Sequence, residues 1–152
     1  MLKILFVCNS NRGRSPMAAA MFDDFARRVG LTTMQVQSAG LRADARQMLP
    51  EAVTLTLADM GLRPLQLGLR QVQPKMLKSA DLIICFTSNQ LTELERGYPP
   101  ARGKCKTLMS LISTDREVFD PGNGSDLQKF KRCAEMMRPA LQSLAESLAR
   151  NV

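Results

Sequence analysis

The stretch Lys3-Ile4-Leu5-Phe6-Val7-Cys8-Asn9-Ser10-Asn11-Arg12-Gly13-Arg14-Ser15-Pro16 decides the fold. Residues 3–7 form a near-continuous apolar run, the pattern of a strand buried on both faces in a parallel sheet. Residues 8–14 are a polar loop with little helix or strand character. Ser15-Pro16 then announces a helix, Ser as the favoured cap and Pro as the favoured first helical residue. Ala18, Met21, Phe22, Phe25 and Val29 follow at helical spacing, with Asp23, Asp24, Arg27 and Arg28 on the other face; Gly30 closes the helix.

The same pattern continues outward. Residues 34–38 read as a second strand, Met34 and Val36 alternating with Gln35 and Gln37, ending before Gly40. A helix is expected over 50–60, stopped by Gly61 and Pro64, and Pro74 suits the first turn of a short helix carrying Met76 and Leu77. Residues 81–86 read as a third, buried strand, 89–96 as a helix before Pro99-Pro100, and 107–111 as a fourth strand. After the loop 120–125 a long helix is expected from about 126 to 150, with an apolar stripe of Phe130, Ala134, Met137, Leu141, Leu144 and Leu148. Pro139 lies inside it and should kink or split it. Strands alternating with helices imply right-handed crossovers. The expected fold is one α/β domain over residues 1–152: three layers, α/β/α, around a central, mostly parallel four-stranded sheet.

The chain has 152 residues, 45% of them hydrophobic and 23% charged, a balance that argues for a globular protein and against disorder. No apolar run approaches the roughly 20 residues of a membrane span, and the first residues do not resemble a secretory signal, so a soluble cytoplasmic protein is expected. The net charge of +7 suits anionic partners. Nucleic acid is not expected among them, because the basic residues are scattered and aromatics are few. Histidine is absent, which excludes a Ser-His-Asp triad, a Cys-His pair and any His-bearing zinc site. None of the four cysteines forms a C-x-x-C pair, so no structural zinc is expected. Cys85 and Cys133 sit in apolar patterns and read as core. Cys105 lies between Lys104 and Lys106, neighbours expected to lower its pKa. Cys8 differs from all three, because it closes a strand and opens the polar loop.

A loop that runs from a strand into a helix start can turn several backbone N–H groups inward, and the helix dipole adds roughly half a positive charge there. Arg14 can close that anion cradle with a planar, two-pronged grip. The nucleotide-type pattern G-x-x-x-x-G-K-[ST] is missing. A cysteine at the base of such a cradle is expected as a thiolate, favoured by the N–H groups, the dipole and Arg14, with the Ser15 hydroxyl donating to it. It would be a nucleophile that needs no general base.

Cys8-x-x-Asn11-x-x-Arg14-Ser15-Pro16 behind an apolar strand resembles the low-molecular-weight protein tyrosine phosphatase family. Ser38-Ala39-Gly40, Arg70-Gln71, the strand at 81–87 and Asp120-Pro121 follow in the family's order over essentially the whole chain. The resemblance implies a phosphomonoester hydrolase acting on a phosphorylated protein or small phosphoester, with no metal or other cofactor and a monomer favoured. It implies Cys8 as nucleophile and Asp120 as general acid, then base. Arg14 and the loop of Asn9, Ser10, Asn11, Arg12, Gly13 and Ser15 would hold the phosphate. Asn11 would brace the loop, since Asn tolerates left-handed backbone. Arg12 reads either as a solvated loop charge or as a rim contact, and Arg70-Gln71 as structural; Asp115 and Glu117 are the alternative acids. The chain departs from the family at Ser10, where many members have Gly, and at Gly13, where many have a second cysteine able to trap an oxidised nucleophile. It also lacks rim aromatics after Asp120-Pro121 and in the loop from Leu41 to Asp44. The rival readings are a thioredoxin-coupled arsenate reductase, relaying through Cys85 and Cys105, and a non-catalytic oxyanion-binding regulator.

Overall fold

Successive side chains of a strand point to opposite faces, and the first strand uses both. Ile4, Phe6 and Cys8 join one apolar core, whereas Leu5 and Val7 join a second one across the sheet. The computed structural model, which describes residues 1–151, places this strand, β1 (Leu2–Cys8), inside a four-stranded, all-parallel sheet of order β2-β1-β3-β4. The partners are β2 (Met34–Gly40), β3 (Leu82–Cys85) and β4 (Cys105–Thr107). Helices α1 (Arg14–Arg28), α2 (Glu51–Ala58) and α5 (Leu127–Arg150) cover the face of Phe6 and Cys8; α3 (Pro74–Ser79) and α4 (Ser88–Gly97) cover the other. The three layers are therefore those read from the sequence.

This order positions the site. The chain leaves β1 toward β2 on one side and β3 toward β4 on the other, and right-handed crossovers put the helices of these two connections, α1 and α4, on opposite faces. The carboxyl ends of β1 and β3 diverge there and leave a crevice, the usual ligand position of an open α/β sheet.

Three expectations are corrected. The fourth strand is Cys105–Thr107, not 107–111: Met109–Ile112 forms a 3₁₀ turn, the Ser110 hydroxyl donating to the Thr107 carbonyl at 2.7 Å. That edge strand pairs with β3 for only three residues before the chain folds over the sheet end, which seats Leu108 and Met109 in the core. The second strand runs through Gly40, because the ladder with β1 continues to the pair Cys8–Gly40. Helix α5 is not split by Pro139. Pro139 and Glu135, whose carbonyl loses its partner, both lie on the exposed side, where water can satisfy it.

Cys85 and Cys133 are core residues as expected, and burial pushes both thiols up to about 12. The expectation for Cys105 is overturned. Burial, helped by Glu95, raises its thiol to about 11 against the opposing pull of Lys104. Above pH 9, the ordinary thiol value, the unfolded chain releases protons that the folded chain keeps. Proton linkage then lowers stability as pH rises from 9 toward 11–12. The thermal midpoint, read by circular dichroism, should fall over pH 9–10.5 and fall less steeply in Cys85→Ala.

Candidate active site

The loop after β1 is shaped by one residue in left-handed backbone, Asn11 at φ 61°. Asn tolerates this conformation better than most residues, and its side chain is completely buried. Nδ2 donates to the hydroxyls of Ser15 at 2.8 Å and Ser38 at 3.0 Å; Oδ1 accepts from Gln66 Nε2 and from the Arg70 N–H, both at 2.9 Å. All four hydrogen-bonding valences of the amide are used. The brace expected of Asn11 is present, and it reaches three segments of chain.

Held in this way, the loop packs against the end of β2 so closely that a Cβ on Gly40 would lie 2.8 Å from the Asn11 nitrogen. The Leu41 and Arg42 N–H groups donate to the carbonyls of Cys8 and Asn9, at 2.9 and 2.7 Å. With these two carbonyls tied away, the loop has its N–H groups free. Among the described residues, those of residues 9–14 donate to no other group of the protein. Asn9 is held by Gln90, whose Nε2 donates to Asn9 Oδ1 at 3.2 Å, and Ser10 is half-buried. Arg12 donates to Gln47 Oε1 at 2.7 Å, and no carboxylate lies within 4 Å of it among the described residues.

Ser15 is not the helix cap. Helix α1 begins at Arg14, with Gly13 in the cap position and no capping side chain. The Ser15 hydroxyl is engaged elsewhere: it lies 2.9 Å from Cys8 Sγ and 3.3 Å from the Ala39 carbonyl, and it accepts from Asn11. Pro16 still falls in the first turn, where a missing N–H costs nothing.

Arg14 is 5% exposed. Its Nη1 donates to the Val118 carbonyl at 3.0 Å, and its Nη2 lies 3.8 Å from Asp120 Oδ2. The Asp120 carboxyl is 64% exposed, and its Oδ1 accepts the Gly122 N–H. The strap that carries it sits on the cradle through Pro121: a Cβ on Gly13 would lie 2.9 Å from Pro121 Cγ and 3.1 Å from Phe130. Of the alternative acids, Asp115 is exposed and Glu117 is tied to the start of α4. Hydrogen bonds from Ser88, helped by Arg14, hold the Glu117 carboxyl below its usual range. Arg70 and Gln71 act structurally: Gly40 donates to the Arg70 carbonyl, and Gln71 pins Leu41 and Ala43.

Sequence reading missed Gln66 and Gln90, and it read Glu117 only as an alternative acid. Thr87-x-x-Gln90 carried a usable signal, since a hydroxyl three residues before Gln is a capping box. Gln66 carried none, because its partner is 55 residues away.

A sulfur under a cradle of free amides, closed by a buried guanidinium and faced by a carboxyl, defines a phosphate-handling enzyme of the cysteine-nucleophile class. The profile of the family "low molecular weight phosphotyrosine protein phosphatase" matches residues 3–152, and the chain belongs to that family. It is 30% identical to a protein-arginine-phosphatase of Bacillus subtilis (strain 168), over 99% of both chains. It is 29% identical to a low molecular weight protein-tyrosine-phosphatase of Streptomyces coelicolor, over 99% of this chain and 95% of that one. A cysteine-to-serine variant of the YwlE arginine phosphatase with a phosphorylated active-site serine superposes with a TM-score of 0.89 at 26% identity, covering 97% of this chain and 95% of the other.

Cys85, Cys105 and Cys133 are held as thiols well above neutral pH, and Gly13 offers no sulfur. At pH 7.5, iodoacetamide should label Cys8 first and give a single early adduct, read by mass spectrometry. Mild peroxide should carry Cys8 past the sulfenic acid, so that dithiothreitol restores little activity. A Cys8 disulfide as the main product would refute this.

Proposed function

We propose that Cys8, Arg14 and Asp120 carry phosphomonoester hydrolysis through a cysteinyl-phosphate. The single observation that supports it best is the row of free N–H groups of residues 9–14 around the mouth where Cys8 ends β1. Three equatorial phosphoryl oxygens take up those donors and the Arg14 fork, which spread the charge of a loose transition state. Cys8 Sγ attacks phosphorus in line, the P–O bond breaks, and Asp120 gives its proton to the departing oxygen. The Ser15 hydroxyl steadies negative charge on sulfur before attack and after release. Asp120, now a carboxylate, takes a proton from the water that attacks the cysteinyl-phosphate, and phosphate leaves. Asn9, Ser10, Arg12 and Gly13 complete the phosphate loop. Substrates are phosphorylated proteins or small phosphoesters.

Turnover of p-nitrophenyl phosphate tests this. Cys8→Ser should be inactive yet still bind phosphate, and Asp120→Ala should lose about 10²–10⁴-fold in rate. Unchanged turnover in Cys8→Ser would defeat the reading.

Two relatives are named arginine phosphatases, but the rim of this chain favours an oxygen ester. A phosphoarginine side chain leaves as a cationic guanidine, and Arg12 of the phosphate loop, which hydrogen-bonds Gln47 and makes no ion pair within 4 Å among the described residues, would repel that charge. In competition between phosphotyrosine and phosphoarginine peptides, the wild type should prefer phosphotyrosine. Arg12→Gln should move the ratio of kcat/KM toward phosphoarginine by about fivefold, the scale of one exposed charge contact.

A further inference from the structure

The segment that carries Asp120 has neither helix nor strand between the 3₁₀ turn and α5. It leaves that turn through Ser113, in left-handed backbone at φ 59°. A segment of this kind is held in place residue by residue or not at all. The Val118 N–H donates to the Phe86 carbonyl at 3.1 Å, and the Cys133 thiol lies 3.7 Å from the Phe119 carbonyl. The Val118 carbonyl takes one of the two prongs of Arg14. That last hold has a competitor during turnover, because phosphoryl oxygens also draw the Arg14 guanidinium.

One further anchor is independent of the phosphate. Glu117 Oε1 accepts from the backbone N–H of Ser88 at 2.8 Å and from the Ser88 hydroxyl at 2.7 Å. Ser88 is the first residue of α4, so its N–H is one of the helix's unpaired donors, at the positive end of the dipole. Helix α4 is also the helix whose Gln90 holds Asn9 of the phosphate loop. One rigid element therefore carries both the loop and, through Glu117, the strap.

We propose that Glu117 is a positioning residue for proton transfer: its clamp on Ser88 fixes where Asp120 presents its carboxyl, without touching substrate. This rests on Asp120 being the proton donor. Glu117 itself stays a carboxylate, held by the Ser88 hydrogen bonds and the nearby Arg14.

The test is the dependence of kcat/KM on the leaving group across aryl phosphates. Poor leaving groups need the proton most, and a misplaced donor costs them most. Glu117→Ala should lower kcat/KM about tenfold for phenyl phosphate and less than about threefold for p-nitrophenyl phosphate. Inhibition by inorganic phosphate should not change. Glu117→Gln should restore most of the loss, because its amide oxygen still accepts from Ser88. In an Asp120→Asn background, Glu117→Ala should have no further effect. An equal loss on both esters, a weakened phosphate inhibition, or a loss that persists beside Asp120→Asn would overturn the proposal. Should Asp120→Asn itself leave the leaving-group dependence flat, the acid role of Asp120 falls and the clamp with it. A steepened profile in Asp120→Asn beside an unchanged one in Glu117→Ala sinks the clamp alone.

Discussion

Backbone N–H groups turned toward one point repel each other, and a loop that gathers them opens unless something braces it from behind. Here the brace is the buried amide of Asn11. It accepts an unfavourable φ and spreads its two donors and its acceptor oxygen over three parts of the protein: the helix that follows, the strand beside the loop, and the segment from Gln66 to Arg70. Because the group is completely buried, losing any one partner leaves a desolvated polar atom behind, at about 1–3 kcal/mol. The loop is thus rigid before any ligand arrives, the condition for electrostatic stabilisation of a transition state.

From that loop outward, each contact ties chemistry to fold. Gly40 lets the loop lie against β2, and Gly13 gives Pro121 a seat, so two missing side chains set how near the loop comes to its neighbours. Arg14 grows from the first residue of α1 and reaches a carbonyl 104 residues further along the chain. The same guanidinium that closes the cradle is therefore part of what holds the segment that carries Asp120.

Much of this was legible in residue order. Apolar runs and 3.6-residue stripes placed the strands and helices, and Cys8, Asn11, Arg14 and Ser15 stood out because their spacing fits a strand-to-helix turn. The errors share a cause. The strand expected at 107–111 was drawn from a local apolar pattern, but Leu108 and Met109 are apolar because they enter the core from a 3₁₀ turn. Ser15 looked like a cap because Ser before Pro usually is one, whereas its hydroxyl had nearer partners in Cys8, Asn11 and the Ala39 carbonyl. Lys104 and Lys106 flank Cys105 in sequence, yet desolvation outweighs Lys104.

The sequence by itself determined the order of elements, the two-faced burial of the first strand and the presence of a strand-end cysteine, a guanidinium and a late carboxyl in one chain. Those properties are periodic or local, so residue order carries them. Only the tertiary structure decided which acid faces the cradle, that Glu117 is fastened to Ser88, that Gln66 and Gln90 support the loop, and that burial raises the thiols of Cys85, Cys105 and Cys133. Each of these depends on groups a few ångströms apart in space and tens of residues apart in sequence, where hydrogen bonding and desolvation act and sequence spacing says nothing.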